Sequence, residues 1–332
     1  MKKSEIDMYN QSPFLIIRSA YLYYILNQSQ SQIAEELNIS ITTVSRLLSK
    51  AKSEDIIRFV IPPAYMRCIE LSRNLQERFH LKNVIVAPPS HPEITDFSQI
   101  SPAEAKNTVA LEGARYLQRI IKPADILGVG WGSTVFQMIN LLNPSQKVDA
   151  KFVTLHGSIE FIENELDVRT LVTRMAKAFF GKNYAFLTDA LMSTPEAAEI
   201  MRHQRNNKIV FDMFSKITVA VFGIGSLYPE ETSVLCSPEF MSAEDLDALR
   251  NAGVRGDIAL RFLDKDGNEC PTSLKERMIS IDLDLLKQIP EKICMASGSG
   301  KAWSIDAALK GGLIDTLIID CALAESLMHI ID

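Results

Sequence analysis

The spacing of apolar residues changes character near residue 62. Before it, Leu15, Ile16, Tyr21, Leu22 and Ile25 recur at helical spacing and predict a first helix. Ile33, Leu37, Ile39, Val44 and Leu47 are apolar where two crossed helices must share a core, and Ala34 is small where they approach most closely. Asn38 takes the turn between them, because Asn is among the few residues that enter the left-handed conformation cheaply. Ser40 is the predicted N-cap of the second helix. The pattern over residues 30–49 is that of a helix-turn-helix, and the β-rich run 56–61 is expected to follow it as a wing. Pro62-Pro63 breaks the chain, and Tyr65 to about Phe79 repeats apolar residues as an amphipathic helix.

Beyond residue 83 short apolar runs alternate with helical stretches. Strands are predicted at 84–86, 126–129, 152–155, 184–187, 218–222, 258–262, 293–296 and 317–319. Helices are predicted at 103–121, 134–142, 168–180, 243–250 and 302–309. Continuously apolar strands between helices signal a parallel sheet covered on both faces. The expected fold class is α/β: an N-terminal winged helix-turn-helix over 1–62, a linker or oligomerisation helix over 63–82, and a Rossmann-like, doubly wound domain over 83–332.

Composition narrows the function classes. The 332 residues are 47% hydrophobic and 23% charged, enough for a real core, and no apolar run reaches the 18 or so residues of a membrane span. Five cysteines lie far apart without a CxxC pair, which argues against a disulfide framework or zinc knuckle and fits a reducing cytoplasm. The net charge of −6 leans away from nucleic acid, but it is unevenly distributed. Residues 1–62 carry seven Lys/Arg against six Asp/Glu, a net of +1, which leaves −7 to residues 63–332. Ser40, Ile41, Thr42, Thr43, Ser45, Arg46 and Lys50 fall at the start or on the open face of the second helix, where phosphates and base edges would be met. One module so nearly neutral would bind DNA weakly, so a dimer or tetramer is expected.

Several Gly-rich turns follow predicted strands, where open α/β sheets place ligands. Gly130, Trp131, Gly132, Ser133 and Thr134 open one helix, and free N–H groups at such a helix start suit an anion. Gly223, Gly225 and Ser226 form a second turn, His156 and Gly157 a third, and Ser297 to Lys301 a fourth that adds a cation. Asp257 begins a strand and is a candidate acceptor for sugar hydroxyls, with an ordinary salt bridge as the alternative reading for it and for Lys301. His156 is a candidate for the pocket wall, with plain packing as its alternative.

Known catalytic and nucleotide patterns fail. Ser133 and Tyr228 stand where a dinucleotide fingerprint needs Gly or Ala, and Met295 and Ala302 spoil a Walker loop at both ends. Asp264 to Gly267 reads as a hairpin turn rather than a calcium loop, since Phe262 occupies the first ligand position. No HxxxH pair or GxSxG elbow occurs. No catalytic residue, metal or cofactor is assigned.

The order of these parts resembles the SorC family of bacterial sugar-responsive transcription regulators over about residues 14–327. The resemblance is carried by SQSQIAEELNISITTVSRLLSKAKSEDIIR, GVGWGSTV, FGIGS, RGDIALRFLDKDGN and GSGKAWSIDAALKGGLIDTLIID. It implies a C-terminal domain similar to the sugar-phosphate isomerase and deaminase fold, used for binding. It implies further that a phosphate lies near residues 130–134, with Gly223, Gly225 and Ser226 nearby, Asp257 toward the hydroxyls and Lys301 at the mouth or on the phosphate. Asp55 stands where that family usually has Gly, the SGSGK loop departs from the usual Gly-Gly-acidic form, and 187–190 lacks the usual proline-containing turn. Asp189 in that last stretch suits a polyol or a free hydroxyl. The expected protein is a cytoplasmic regulator of a carbohydrate operon, with operator DNA and a small sugar, polyol or sugar phosphate as partners and no membrane role. The rival is a sugar-phosphate isomerase or deaminase with an accessory helix-turn-helix.

Overall fold

The computed structural model describes residues 12–91, 93–94, 96–144, 146–159 and 165–331. The chain divides into two units, Met1–Ile61 and Pro62–Asp332.

The first unit contains helices α1 (Pro13–Tyr24), α2 (Gln30–Leu37) and α3 (Ile41–Ser53). Local chemistry sets their ends. Ser29 and Gln32 form a reciprocal capping box at the start of α2. Asn38 ends α2 in the left-handed conformation at φ 51°, and the Ser40 side chain accepts the Thr43 N–H to start α3. Leu22, Ile33, Ala34, Val44 and Leu48 make one small core, and Ile16, Ala20, Leu47 and Ala51 make another.

The expected wing is absent. Residues 56–61 form no strand, and among the described residues the unit offers no second strand for them to pair with. β-propensity without a partner leaves the backbone donors to water. Val60 is 88% exposed, and the Phe59 ring rests edge-on against Tyr24 at 5.8 Å.

The second unit begins with α4 (Pro63–Phe79) and β1 (Asn83–Ala87). Then come α5 (Pro102–Ile120), β2 (Ile126–Val129), α6 (Ser133–Asn140) and β3 (Lys151–Thr154). They are followed by α7 (Val168–Phe179), β4 (Lys182–Tyr184), α8 (Pro195–His203) and α9 (Arg205–Phe214). The middle of the unit holds β5 (Val219–Phe222), β6 (Gly225–Ser226), α10 (Ala243–Asn251), β7 (Gly256–Ile258) and β8 (Arg261–Leu263). It closes with α11 (Ser273–Arg277), α12 (Leu283–Gln288), β9 (Glu291–Ala296), α13 (Ala302–Lys310), β10 (Thr316–Asp320) and α14 (Cys321–Ile331).

Seven strands form a parallel sheet in the order β1-β10-β9-β5-β2-β3-β4. Strand alternation divides the core into two layers. Val219, Val221, Ile293, Met295 and Ile318 pack with α5, α6 and α7, while Ala220, Phe222, Cys294, Ala296, Leu317 and Ile319 pack with α4, α9, α13 and α14. This is a doubly wound α/β domain. From β2 the chain moves outward to β3 and β4, then returns to the other side of β2 as β5 and continues toward β9 and β10. The direction therefore reverses between β2 and β5, which opens a crevice at their C-terminal ends.

Two strand predictions need correction. The run 258–262 is not one strand but the antiparallel pair β7–β8, turning at Ala259 and Leu260 with φ of 48° and 67°. Positive φ at both central residues is hairpin geometry that normally draws Asn or Gly, so no turn residue marked it. Burial of Leu260 in a third core cluster with Leu235, Leu249 and Phe262 offsets the strain. The second correction is β4, which occupies 182–184 rather than 184–187, where the chain turns away from the sheet edge. Helices α8, α9, α11, α12 and α14 were not predicted.

Cys68 and Cys321 are disulfide-bonded across 253 residues, with Cα atoms 6.1 Å apart. The cysteine spacing concealed this pair, because α4 and α14 meet only in three dimensions.

Candidate functional site

A cavity of about 390 Å³ lies at the crevice between β2 and β5. Its floor is built from the two loops that leave these strands. Gly130 donates its N–H to Val221 O at 2.8 Å, so the loops are laced together. A Cβ on Gly130 would stand 2.8 Å from the Phe222 Cβ, which explains Gly there. Gly132 has φ 139° and precedes α6 without any side-chain cap, leaving the first N–H groups of that helix uncovered at the cavity wall.

Two ionisable side chains line the same cavity. Asp257 on β7 is almost fully buried and accepts the Ser233 hydroxyl at 3.0 Å. Burial pushes its carboxyl up to about 6, opposed by the Ser233 hydrogen bond and the charge on Lys301. Lys301 comes from the fourth Gly-rich loop, and burial lowers its ammonium below the ordinary lysine value. Among the described residues no carboxylate lies within ion-pair distance of it. The remaining wall is largely apolar, from Leu166, Phe222, Ile224, Val234, Ala259 and Met295.

The structure thus gathers Gly130, Trp131, Gly132, Ser133, Thr134, Gly223, Gly225, Asp257 and Lys301 around one space. His156, Gly157, Asp189 and Ser226 are not on its lining. His156 is completely buried behind the first loop. Its Nε2 accepts the Trp131 N–H at 3.2 Å, so the ring proton sits on Nδ1 and is donated to Gly157 O at 2.7 Å. Burial pushes its pKa down to about 4, which makes it a neutral strut for the loop. Gly157 is pressed against the Asp189 backbone, where a Cβ would come within 2.6 Å of the carbonyl oxygen. The Asp189 side chain is on an exposed turn. Ser226 is buried and donates to Tyr228 O and Gly300 O, tying the second loop to the fourth. Sequence reasoning missed Thr232, Ser233 and Val234, which reach the cavity from a long loop without a motif.

In the first unit, Ser40, Thr42, Ser45 and Arg46 are exposed on or before α3, and Thr43 and Lys50 are half-buried. Ser40 is engaged with the hydroxyls of Thr42 and Thr43, and Lys50 pairs with Glu54 at 3.5 Å.

Comparison with known proteins gives this arrangement its relatives. Residues 64–329 match the family described as a sugar-binding domain, and residues 18–54 match sigma-70, region 4. The sorbitol operon regulator of Klebsiella pneumoniae is 30% identical over 316 residues, covering 95% of this chain and 97% of its own. The chain belongs to the SorC family of transcriptional regulators. The deoxyribonucleoside regulator of Bacillus subtilis (strain 168) is 29% identical over 318 residues, covering 95% of this regulator and 97% of that one. The crystal structure of the full-length sorbitol operon regulator SorC from Klebsiella pneumoniae matches with a TM-score of 0.72 at 29% identity, covering 95% and 98% of the two chains. A DeoR family transcriptional regulator from Listeria monocytogenes matches with a TM-score of 0.69 at 26% identity, over 78% of this regulator and 99% of that chain. Among the described residues no helix is long and apolar enough to cross a membrane.

Proposed function

We propose that this regulator reads operator DNA with Ser40, Thr42, Thr43, Ser45, Arg46 and Lys50, and that a small sugar, polyol or sugar phosphate in the 390 Å³ cavity controls that binding. The cavity chemistry carries the effector reading. One lining holds an uncapped helix start and the Lys301 ammonium, which suit an anion, together with the Asp257–Ser233 pair, which suits hydroxyls. A sugar phosphate presents those two kinds of group on one small molecule.

The site binds and does not turn over its ligand in this reading. His156, the candidate proton carrier nearest the loops, is neutral and locked by two hydrogen bonds, which supports a role in holding the loop. The reading assigns residues 1–62 to DNA, 63–82 to linkage or oligomerisation and 83–332 to the effector. Exposed Met66 and Ile69 on α4 support a part for that helix in a dimer or tetramer, acting in the cytoplasm. Effector contacts would favour one arrangement of the subunits, by no more than the difference in affinity between arrangements.

The test is an anisotropy titration on the DNA upstream of its own operon, beside a thermal-shift screen of sugars, polyols and their phosphates. Salt-sensitive, sequence-specific binding is expected. A ligand at 100-fold its Kd stabilises by ~2.7 kcal/mol. Arg46→Ala should weaken DNA binding and leave that thermal shift intact; loss of both together contradicts the division of labour.

A further inference from the structure

Cys68 lies on α4, the helix that continues directly from the N-terminal unit, and Cys321 is the first residue of α14 at the end of β10. Neither residue belongs to the effector cavity. Cys321 lines a second cavity of about 490 Å³ at the C-terminal ends of β1 and β10, shared with Ala87, Phe97, Asp320 and His329. Cys321 is itself buried, with its sulfur 3.5 Å from Ala87 O, so this cavity is the space that borders the residue.

We propose that Cys68 and Cys321 form a reversible thiol modification site, oxidised by low-molecular-weight disulfides entering through this second cavity, and that the bond clamps α4 to the end of the sheet. The Cα separation of 6.1 Å is within the range a disulfide spans, so either redox state needs little backbone movement. In the oxidation the Cys321 thiolate attacks one sulfur of the small disulfide and expels one thiol. The Cys68 thiolate then attacks the Cys321 sulfur of the mixed disulfide and expels the second. The protein loses two electrons and the oxidant gains them, and the two thiol protons end on the released thiols. Excess dithiol reverses both steps.

The surroundings make the site selective and consequential. Cys68 and Cys321 are as buried as Cys270 and Cys294, so selectivity rests on pairing: these two stand within disulfide reach of each other, and Cys321 lines a cavity. Without the bond, α4 is held to α14 by apolar packing and by Arg67 to Glu325 at 3.1 Å. The residue before Cys321, Asp320, accepts the Gly298 N–H at 2.7 Å, and Lys301 of the effector cavity lies three residues beyond Gly298. The clamp therefore joins the helix that follows the DNA-binding unit to the strand end that steadies an effector loop. It is a second input, independent of which effector the cavity takes.

The full-length protein, reduced with dithiothreitol, should be exposed to oxidised glutathione, trapped with iodoacetamide and mapped by peptide mass. A Cys68–Cys321 linked peptide pair that dithiothreitol removes is expected. Glutathione adducts elsewhere, or no oxidation at all, would overturn the site. Native-state hydrogen exchange should then show the amides of α4 on the order of tenfold slower in the oxidised protein, as for a locally unfolding segment that gains a covalent tie. Equal exchange in both states overturns the clamp. Cys68→Ser and Cys321→Ala should each abolish the redox difference; should either variant fail to fold, the comparison of oxidised with reduced wild type still decides the matter.

Discussion

Two buried groups, Asp257 on the cavity lining and His156 behind its first loop, should give the C-terminal unit an acid response that is masked in the wild type. His156 is held at about 4 against its ordinary 6.5. The unfolded chain takes up that proton first, so the stability present above pH 6.5 is lost as pH falls toward 4. Asp257 is held at about 6 against 3.8, so the native state takes up its proton first. Stability is then gained as pH falls through 6, and is complete below 3.8. Each effect amounts to about 3 kcal/mol, with a slope of about 1.4 kcal/mol per pH unit. Between pH 6 and 4 the slopes oppose and nearly cancel. Asp257→Asn removes the gain, so this variant should lose about 1.4 kcal/mol per unit relative to wild type as pH falls from 6. His156→Gln, whose amide oxygen can still accept the Trp131 N–H, should gain by a similar slope relative to wild type below pH 6.5. Urea titrations followed by tryptophan fluorescence read this directly, because Trp131 and Trp303 both lie in the C-terminal unit. Differences between variant and wild type cancel the contribution of the other carboxylates. Parallel curves for wild type and His156→Gln from pH 6.5 to 4.5 would refute the neutral, buried histidine, and parallel curves for Asp257→Asn would refute the raised carboxyl.

Further outcomes follow from other contacts. Gly225→Ala places a Cβ 1.9 Å from Asp257 Oδ1, so it should displace the carboxylate and weaken effector binding by about 1–3 kcal/mol in calorimetry. Wild-type affinity in that variant would remove Asp257 from the ligand contacts. Arg261 is buried and donates to Ile281 O, Lys275 O and Ser280 O while pairing with Glu269 and Asp282. Arg261→Met should cost about 1–3 kcal/mol in urea unfolding, since the buried Ser280 and Ile281 carbonyls lose the guanidinium donor, while Glu269 keeps Lys275 at 3.1 Å and Asp282 is exposed; a loss below about 0.5 kcal/mol contradicts that. Asn38→Ala should destabilise the N-terminal unit by about 1 kcal/mol and Asn38→Gly by less, because only the β-carbon opposes φ 51°. Thermal melts of the two variants by circular dichroism give the ranking, and equal stability would show that the turn carries no strain.

The candidate site was legible where backbone chemistry is local. Gly130 stands at a strand end because its loop passes close to Phe222, and Gly132 because its φ of 139° excludes a side chain, and such glycines show in a linear string. Ser233 did not, since a serine in a long loop carries no mark of the carboxylate it will meet 24 residues later. His156 illustrates the converse. Its place beside Gly157 was visible, but whether its ring turned toward the ligand or behind the loop depended on the Trp131 N–H it would find there.

By itself the sequence determined the helix-turn-helix, through Ser29, Asn38 and Ser40, and the alternation of strands and helices beyond residue 83. These features depend on contacts within a few residues, and short-range patterning is enough to encode them. Tertiary structure alone decided that 56–61 finds no strand partner, that Ala259 and Leu260 turn a hairpin, and that Cys68 meets Cys321. The physical reason is common to all three. Each outcome is set by a neighbour far away in the chain, or by the lack of one, and local propensity yields to burial and pairing.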